Sequence, residues 1–124
     1  ERVLCPANNT AAARKSLEIA AGIAAGFGAE LTVLHVEEPE RKSSRPEVCG
    51  WLPETARASC LLREVVRSGD AAEETLKLAE ELRADLLVIG ARRRAFRDTV
   101  VLGSTTERLV RHSRIPVLTV VNAS

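Results

Sequence analysis

Between Leu86 and Ser104 the chain places an apolar run (Leu86, Leu87, Val88, Ile89), then Gly90. An arginine-rich loop follows, with Arg92, Arg93, Arg94 and Arg97, and then Gly103-Ser104. A strand ending in glycine, followed by a helix opening at Gly-Ser, brings two sets of backbone N–H groups together. Helix N-termini carry unpaired donors and a partial positive charge, so this arrangement suits a phosphate. The arginines add charge-assisted donors for the same anion, opposed by one acid in the loop, Asp98. A solvated loop that keeps its arginines for solubility or for a protein partner is the competing reading. The residues alone leave both open.

Residues for covalent or acid–base chemistry are sparse. His35 and His112 are the only histidines, and neither has a sequence neighbour that makes a triad or a metal site. His35, at a strand end, reads as packed and hydrogen-bonded, and His112 as a helix C-terminal cation. Ser104 reads as a helix cap rather than a nucleophile. Asp85 and Asp98 stand too far apart in sequence to argue a carboxylate pair. The three cysteines, Cys5, Cys49 and Cys60, are odd in number and fit no metal spacing. They read as structural thiols, Cys5 as a small buried hydrophobe; a Cys49–Cys60 bridge is disfavoured in a reducing compartment. The expectation is a non-enzymatic domain with no metal beyond Mg²⁺ accompanying a nucleotide.

The elements that position these residues follow from periodicity. Strand-like runs lie at Val3–Pro6, Leu31–Val36, Leu61–Val66, Leu86–Gly90 and Pro116–Val121. Residues Ala11 to Phe27 put Ala13, Leu17, Ala20, Ala21 and Ala24 on one helical face, with Gly26 and Gly28 as stop signals. Asp70 caps a second helix with Glu73 three residues on; it turns Leu76, Ala79 and Leu82 inward and ends near Arg83. The last helix runs from Ser104 to about His112, with Leu109 and Val110 toward the core, and Pro116 bars its continuation. Strands alternating with helices imply an α/β fold with a parallel, doubly wound sheet. The apolar Leu86–Ile89 run marks a central strand, and the mixed Leu61–Arg67 run an edge. Val117-Leu118-Thr119-Val120-Val121 carries no charge; as the other edge it is a template for a second chain, so a homodimer through Pro116–Val121 is expected. From Glu37 to Cys60 the pattern is that of a long surface excursion with at most a short helix near Glu54–Ser59. Trp51 within it reads as a lid packed on the domain body or a partner contact.

With 124 residues the chain suits one domain. A net charge of +1 gives no field to recruit nucleic acid, and stacking aromatics beyond Phe96 are missing. No apolar run approaches the ~20 residues that span a bilayer, and no leader-like segment is evident, so the expected location is cytoplasmic. The sequence contains no methionine and a strand starts at Val3, which points to a domain excised from a longer polypeptide.

Taken together, several runs resemble the universal stress protein superfamily across almost the whole chain. They are Val3-Leu4-Cys5-Pro6, the run from Gly28 to Val36, Gly69-Asp70-Ala71-Ala72-Glu73-Glu74, the run from Ala84 to Gly90, Leu102-Gly103-Ser104 and Ile115-Pro116-Val117-Leu118. The resemblance implies a three-layer αβα sandwich of the adenine-nucleotide alpha-hydrolase-like type, residues 1–124 forming one domain. Its five-stranded parallel sheet has the order 3-2-1-4-5. It also implies a G-2x-G-9x-G-[ST] nucleotide signature, whose positions fall here on Gly90, Arg93, Gly103 and Ser104. The spacing is intact, but Arg93 replaces the middle glycine. Asn8, in Ala7-Asn8-Asn9-Thr10, stands where the family tends to carry an acid. In such a sheet ligands bind past the carboxyl ends of the strands where their order reverses. The implied site is Ala7, Asn8, Val36, Gly90, Arg92, Arg93, Gly103, Ser104 and Thr105, for ATP or AMP. Two functions remain: a stress-response or regulatory domain that binds adenine nucleotide, and a dimerisation module that has lost the ligand. The second includes the cytoplasmic regulatory domain of a membrane transporter, and pairing with a second domain of the same kind is also implied.

Overall fold

The computed structural model describes residues 1–8, 10–39, 45–46, 48–58, 60–93, 100–101 and 104–122, without the side chains of Cys49, Arg92, Arg93, Val100, Val101, Ser104 and Asn122. In chain order the elements are β1 (Arg2–Pro6), α1 (Ala11–Phe27), β2 (Glu30–Glu37), α2 (Val48–Trp51) and α3 (Glu54–Ala58). Then come β3 (Leu61–Ser68), α4 (Ala71–Leu82), β4 (Leu86–Arg93), β5 (Val100–Val101), α5 (Ser104–His112) and β6 (Val117–Asn122).

Five strands form a parallel sheet in the order β3-β2-β1-β4-β6. This is the expected 3-2-1-4-5 order, with β6 as the fifth long strand. Alternation along each strand sends side chains to opposite faces. Val3, Cys5, Leu31, Val33, Val88 and Val120 pack with α1 on one face. On the other, Leu4, Leu34, Leu87 and Ile89 pack with α4 and α5. Ala13, Leu17, Ala20, Ala21 and Ala24 of α1 are all buried as expected. The small alanines let the helix axis approach the sheet. Thr10 caps the helix by accepting from the Ala13 N–H, and Gly28, at φ 63°, ends it in the left-handed region. Asp70 caps α4 in the same way through the Glu73 N–H.

Three expectations need correction. The fourth strand does not stop at Gly90. It continues to Arg93, because Arg92 and Arg93 pair antiparallel with Val101 and Val100 of β5; these two arginines belong to a strand rather than a loop. Val110 is exposed, whereas Leu109 is buried: successive residues of α5 point about 100° apart, and the face it turns to the core takes in Leu109 but not Val110. Leu76, Ala79 and Leu82 of α4 turn inward as expected, Ala79 buried and the two leucines partly buried against the same core. The excursion after β2 is anchored rather than superficial. It contains two short helices, and Val48 and Leu52 are each only 2 % exposed. Both join the α1-side core, with Trp51 packed against it.

Cys5 is buried, and burial pushes its thiol up to about 12 despite a contact with Ser16 Oγ at 3.9 Å. Cys60 is a free thiol whose Sγ donates to the Ala56 carbonyl. Among the described residues no helix is long and apolar enough to cross a membrane, and no His/Cys/Asp/Glu group is arranged to hold a metal.

Candidate functional site

The strand order reverses between β1 and β4, so the loops leaving their carboxyl ends diverge to opposite faces and open a crevice. A cleft of about 280 Å³ occupies that position. Its floor is the carboxyl ends of three strands: Pro6 and Ala7 after β1, Leu34 to Val36 of β2, and Ile89 and Gly90 of β4. Its walls are the first turns of helices: Ala12 and Ala13 of α1, Ala71 and Thr75 of α4, and Thr105 and Thr106 of α5. Helix N-termini on both faces of the sheet therefore present their positive ends around one space.

Each wall is held by a local device. The Thr10 hydroxyl donates to Asn8 Oδ1 at 2.9 Å while accepting from the Ala13 N–H. This pins the first loop and leaves the Asn8 amide hydrogens available for an acceptor. The Ala7 N–H donates to the Leu34 carbonyl at 2.8 Å, extending the β1–β2 ladder by one residue. On the opposite wall the Thr106 hydroxyl donates to the Gly90 carbonyl at 3.3 Å, tying α5 to the end of β4. Thr75 is fully buried and its hydroxyl donates to the Ala71 carbonyl. At the head of α4, Asp70 accepts from Arg108 Nη1 at 2.9 Å as well as from the Glu73 N–H. The Arg108 guanidinium, and then that backbone donor, hold its carboxyl below the ordinary range.

Gly90 has a packing reason to be glycine. A Cβ there would lie 2.8 Å from the Ala12 carbonyl oxygen, a backbone atom with little room to move. The close approach of α1 to β4 thus demands glycine whether or not a phosphate binds. Arg93 shows the converse. Among the described residues only Arg83 is a non-glycine with positive φ, so Arg93 sits in an extended conformation any residue adopts. The position that carries glycine in the nucleotide signature is here a strand residue.

Of the expected site residues, Ala7, Asn8, Val36, Gly90 and Thr105 line the cleft together. The backbones of Arg92 and Arg93 continue β4 beyond its rim, and Ser104 opens α5. Gly103, with Asn9, Arg94, Phe96, Arg97 and Asp98, lies outside the described residues. Sequence reasoning missed Glu38, Thr75 and Thr106, and it assigned His35 to the core; all four line the cleft. A signal for Glu38 existed, since it stands two residues past Val36 at the carboxyl end of β2. Nothing local marked Thr75 or Thr106, whose roles depend on helices crossing the sheet.

Comparison with known proteins places this architecture. The Universal stress protein family profile matches residues 1–121. The chain belongs to the universal stress protein family. Universal stress protein G of Shigella flexneri is 42 % identical over 59 residues, a match taking in 48 % of this chain and 41 % of that protein. The chain thus matches less than half the length of that curated relative. A universal stress protein from Archaeoglobus fulgidus superposes with a TM-score of 0.77 at 27 % identity, covering 98 % of this chain and 45 % of that one. A universal stress protein in complex with cAMP gives 0.72 at 22 % identity, covering 97 % and 96 %. The family member from Arabidopsis thaliana with AMP bound gives 0.69 at 17 % identity, covering 99 % and 92 %. These last two likenesses establish the shared fold.

Proposed function

We propose that this universal stress protein domain is a regulatory module that binds an adenine nucleotide in the cleft between β1 and β4 and works as a homodimer through β6. The observation that carries the reading is the cleft itself. It lies at the point where the strand order reverses, is floored by strand ends and is ringed by helix N-termini. That two proteins of the same fold hold cAMP and AMP supports an adenine nucleotide as the ligand class. The volume lies just below the usual range for small-molecule pockets, which suits a nucleoside with its phosphates at the mouth. Asn8 and Glu38 then supply hydrogen-bonding groups near the β1 and β2 ends, with Ala7 and Val36 as apolar contacts. Phosphates fall toward Gly90 and the start of α5 at Ser104 and Thr105, with Arg92 and Arg93 proposed as cationic partners in place of the missing glycine.

Binding without turnover is the accompanying proposal. His35, the histidine of the cleft, is committed through Nδ1 to the Ala7 carbonyl and not to a carboxylate. The Thr106 hydroxyl is occupied by the Gly90 carbonyl. A general base oriented toward a nucleophile is therefore not assembled by these groups. Dimerisation is favoured by β6, which among the described residues pairs only β4 and leaves Leu118 and Val121 each 38 % exposed.

Calorimetric titration of the nucleotide-stripped domain with AMP and ATP tests the reading. Micromolar binding is expected, with Arg93→Gly weakening ATP about tenfold and adenosine little, as loss of one charge-assisted phosphate bond requires. No heat at millimolar nucleotide sinks the nucleotide reading and leaves the dimerisation module.

A further inference from the structure

One ring nitrogen of His35 fits the expected packed, hydrogen-bonded residue; the other does not. The side chain is 3 % exposed, and Nδ1 lies 3.1 Å from the Ala7 carbonyl oxygen. A carbonyl only accepts, so Nδ1 carries the hydrogen and donates. In the uncharged ring that makes Nε2 an acceptor with its lone pair in the ring plane. Nε2 is fully buried and has no hydrogen-bond partner among the described residues, and His35 lines the cleft. Burying an acceptor without a donor is costly, and native interiors rarely leave one so. The polar groups nearby do not relieve it. The Thr75 and Thr106 hydroxyls donate to Ala71 and Gly90 carbonyls, and the Thr10 hydroxyl donates to Asn8.

We propose that His35 is a ligand-binding residue whose Nε2 accepts a hydrogen from the nucleoside part of the bound nucleotide. The donor is a ribose hydroxyl or the exocyclic amino group of adenine; both present the same O–H or N–H hydrogen to the same lone pair. The inference rests on the nucleotide reading above and adds a residue that selects the nucleoside. The Ala7 carbonyl sets the selection. By fixing the hydrogen on Nδ1 it fixes Nε2 as an acceptor, so a nucleoside bearing a donor there is favoured over one bearing an acceptor. The first loop thereby tunes the site through its backbone as well as through Asn8.

The test is ¹⁵N NMR of the imidazole rings during titration of the whole domain with AMP, with exposed His112 as internal control. Parallel titrations use 2′-deoxy-AMP, 3′-deoxy-AMP and purine riboside monophosphate, which lacks the amino group. The His35 Nε2 resonance is expected to move on AMP binding while Nδ1 stays protonated and His112 is unchanged. One analogue is expected to bind about tenfold more weakly and to leave Nε2 unmoved, which identifies the donor. His35→Leu is expected to bind AMP and that analogue alike, with its fold checked by the amide spectrum. Saturation by AMP with Nε2 unmoved overturns the assignment while sparing the nucleotide reading. Equal Nε2 shifts with AMP and every analogue also overturn it, since the donor is then water. No AMP binding at millimolar concentration removes the nucleotide reading and this assignment with it.

Discussion

Gly90 and Asp70 show how single residues carry the cleft. At Gly90 the missing Cβ is what lets α1 lie against β4, with the Ala12 carbonyl 2.8 Å from where that carbon would stand. Gly90→Ala is expected to cost about 1–3 kcal/mol in chemical denaturation, as overpacking does, and to weaken any cleft ligand by shifting the end of β4. An unchanged midpoint would show that α1 has slack. Asp70 joins α4 to α5 by capping one and pairing with Arg108 of the other. Asp70→Ala is expected to cost about 1 kcal/mol, mostly the lost cap. Its carboxyl titrates lower in the folded than in the unfolded state. Its stabilising contribution is therefore complete above the unfolded value of about 4 and lost as pH falls through the lower folded value. Asp70→Asn keeps a capping oxygen but has no charge to titrate. The variant should match the parent in acid and fall slightly below it at neutral pH, read from urea midpoints across pH 2–7.

The elements divide into those that hold the site and those open to a partner. α1, β1, β2 and β4 hold the site, and their ends were legible from alternation, capping residues and glycine stops. The run of β4 through Arg93 was not. An arginine stretch after glycine carries no apolar pattern, and only pairing with Val100 and Val101 makes it a strand. At the sheet's outer edge β6 buries Val120 in the core and leaves Leu118, on the same face, and Val121, on the opposite one, exposed. Leu118→Lys is therefore the test of edge pairing, because Lys at Val120 would unfold the core. Sedimentation should show dimer for the parent chain and monomer for Leu118→Lys, with the melting temperature little changed. A dimer that persists moves the interface elsewhere.

Over the whole molecule, the two faces of the sheet bury separate cores, and the segment between β2 and β3 closes one of them. Leu52 is 2 % exposed within that segment, so Leu52→Ala is expected to cost 2–5 kcal/mol or about that in urea denaturation, a core penalty rather than a loop penalty. A change under about 0.5 kcal/mol would return the segment to the surface. The sequence by itself determined the fold class, the strand order by resemblance, the limits of the three long helices and, of the cleft lining, Ala7, Asn8, Val36, Gly90 and Thr105. These depend on periodicity, caps and motif spacing, all local along the chain. Only the tertiary structure decided that Val48 and Leu52 plug a core and that Gly90 answers to a carbonyl of α1. It also decided that His35 lines the cleft while its buried Nε2 has no partner among the described residues. The reason is physical: burial and hydrogen-bond satisfaction depend on atoms from distant segments, and no local pattern records which of them arrive.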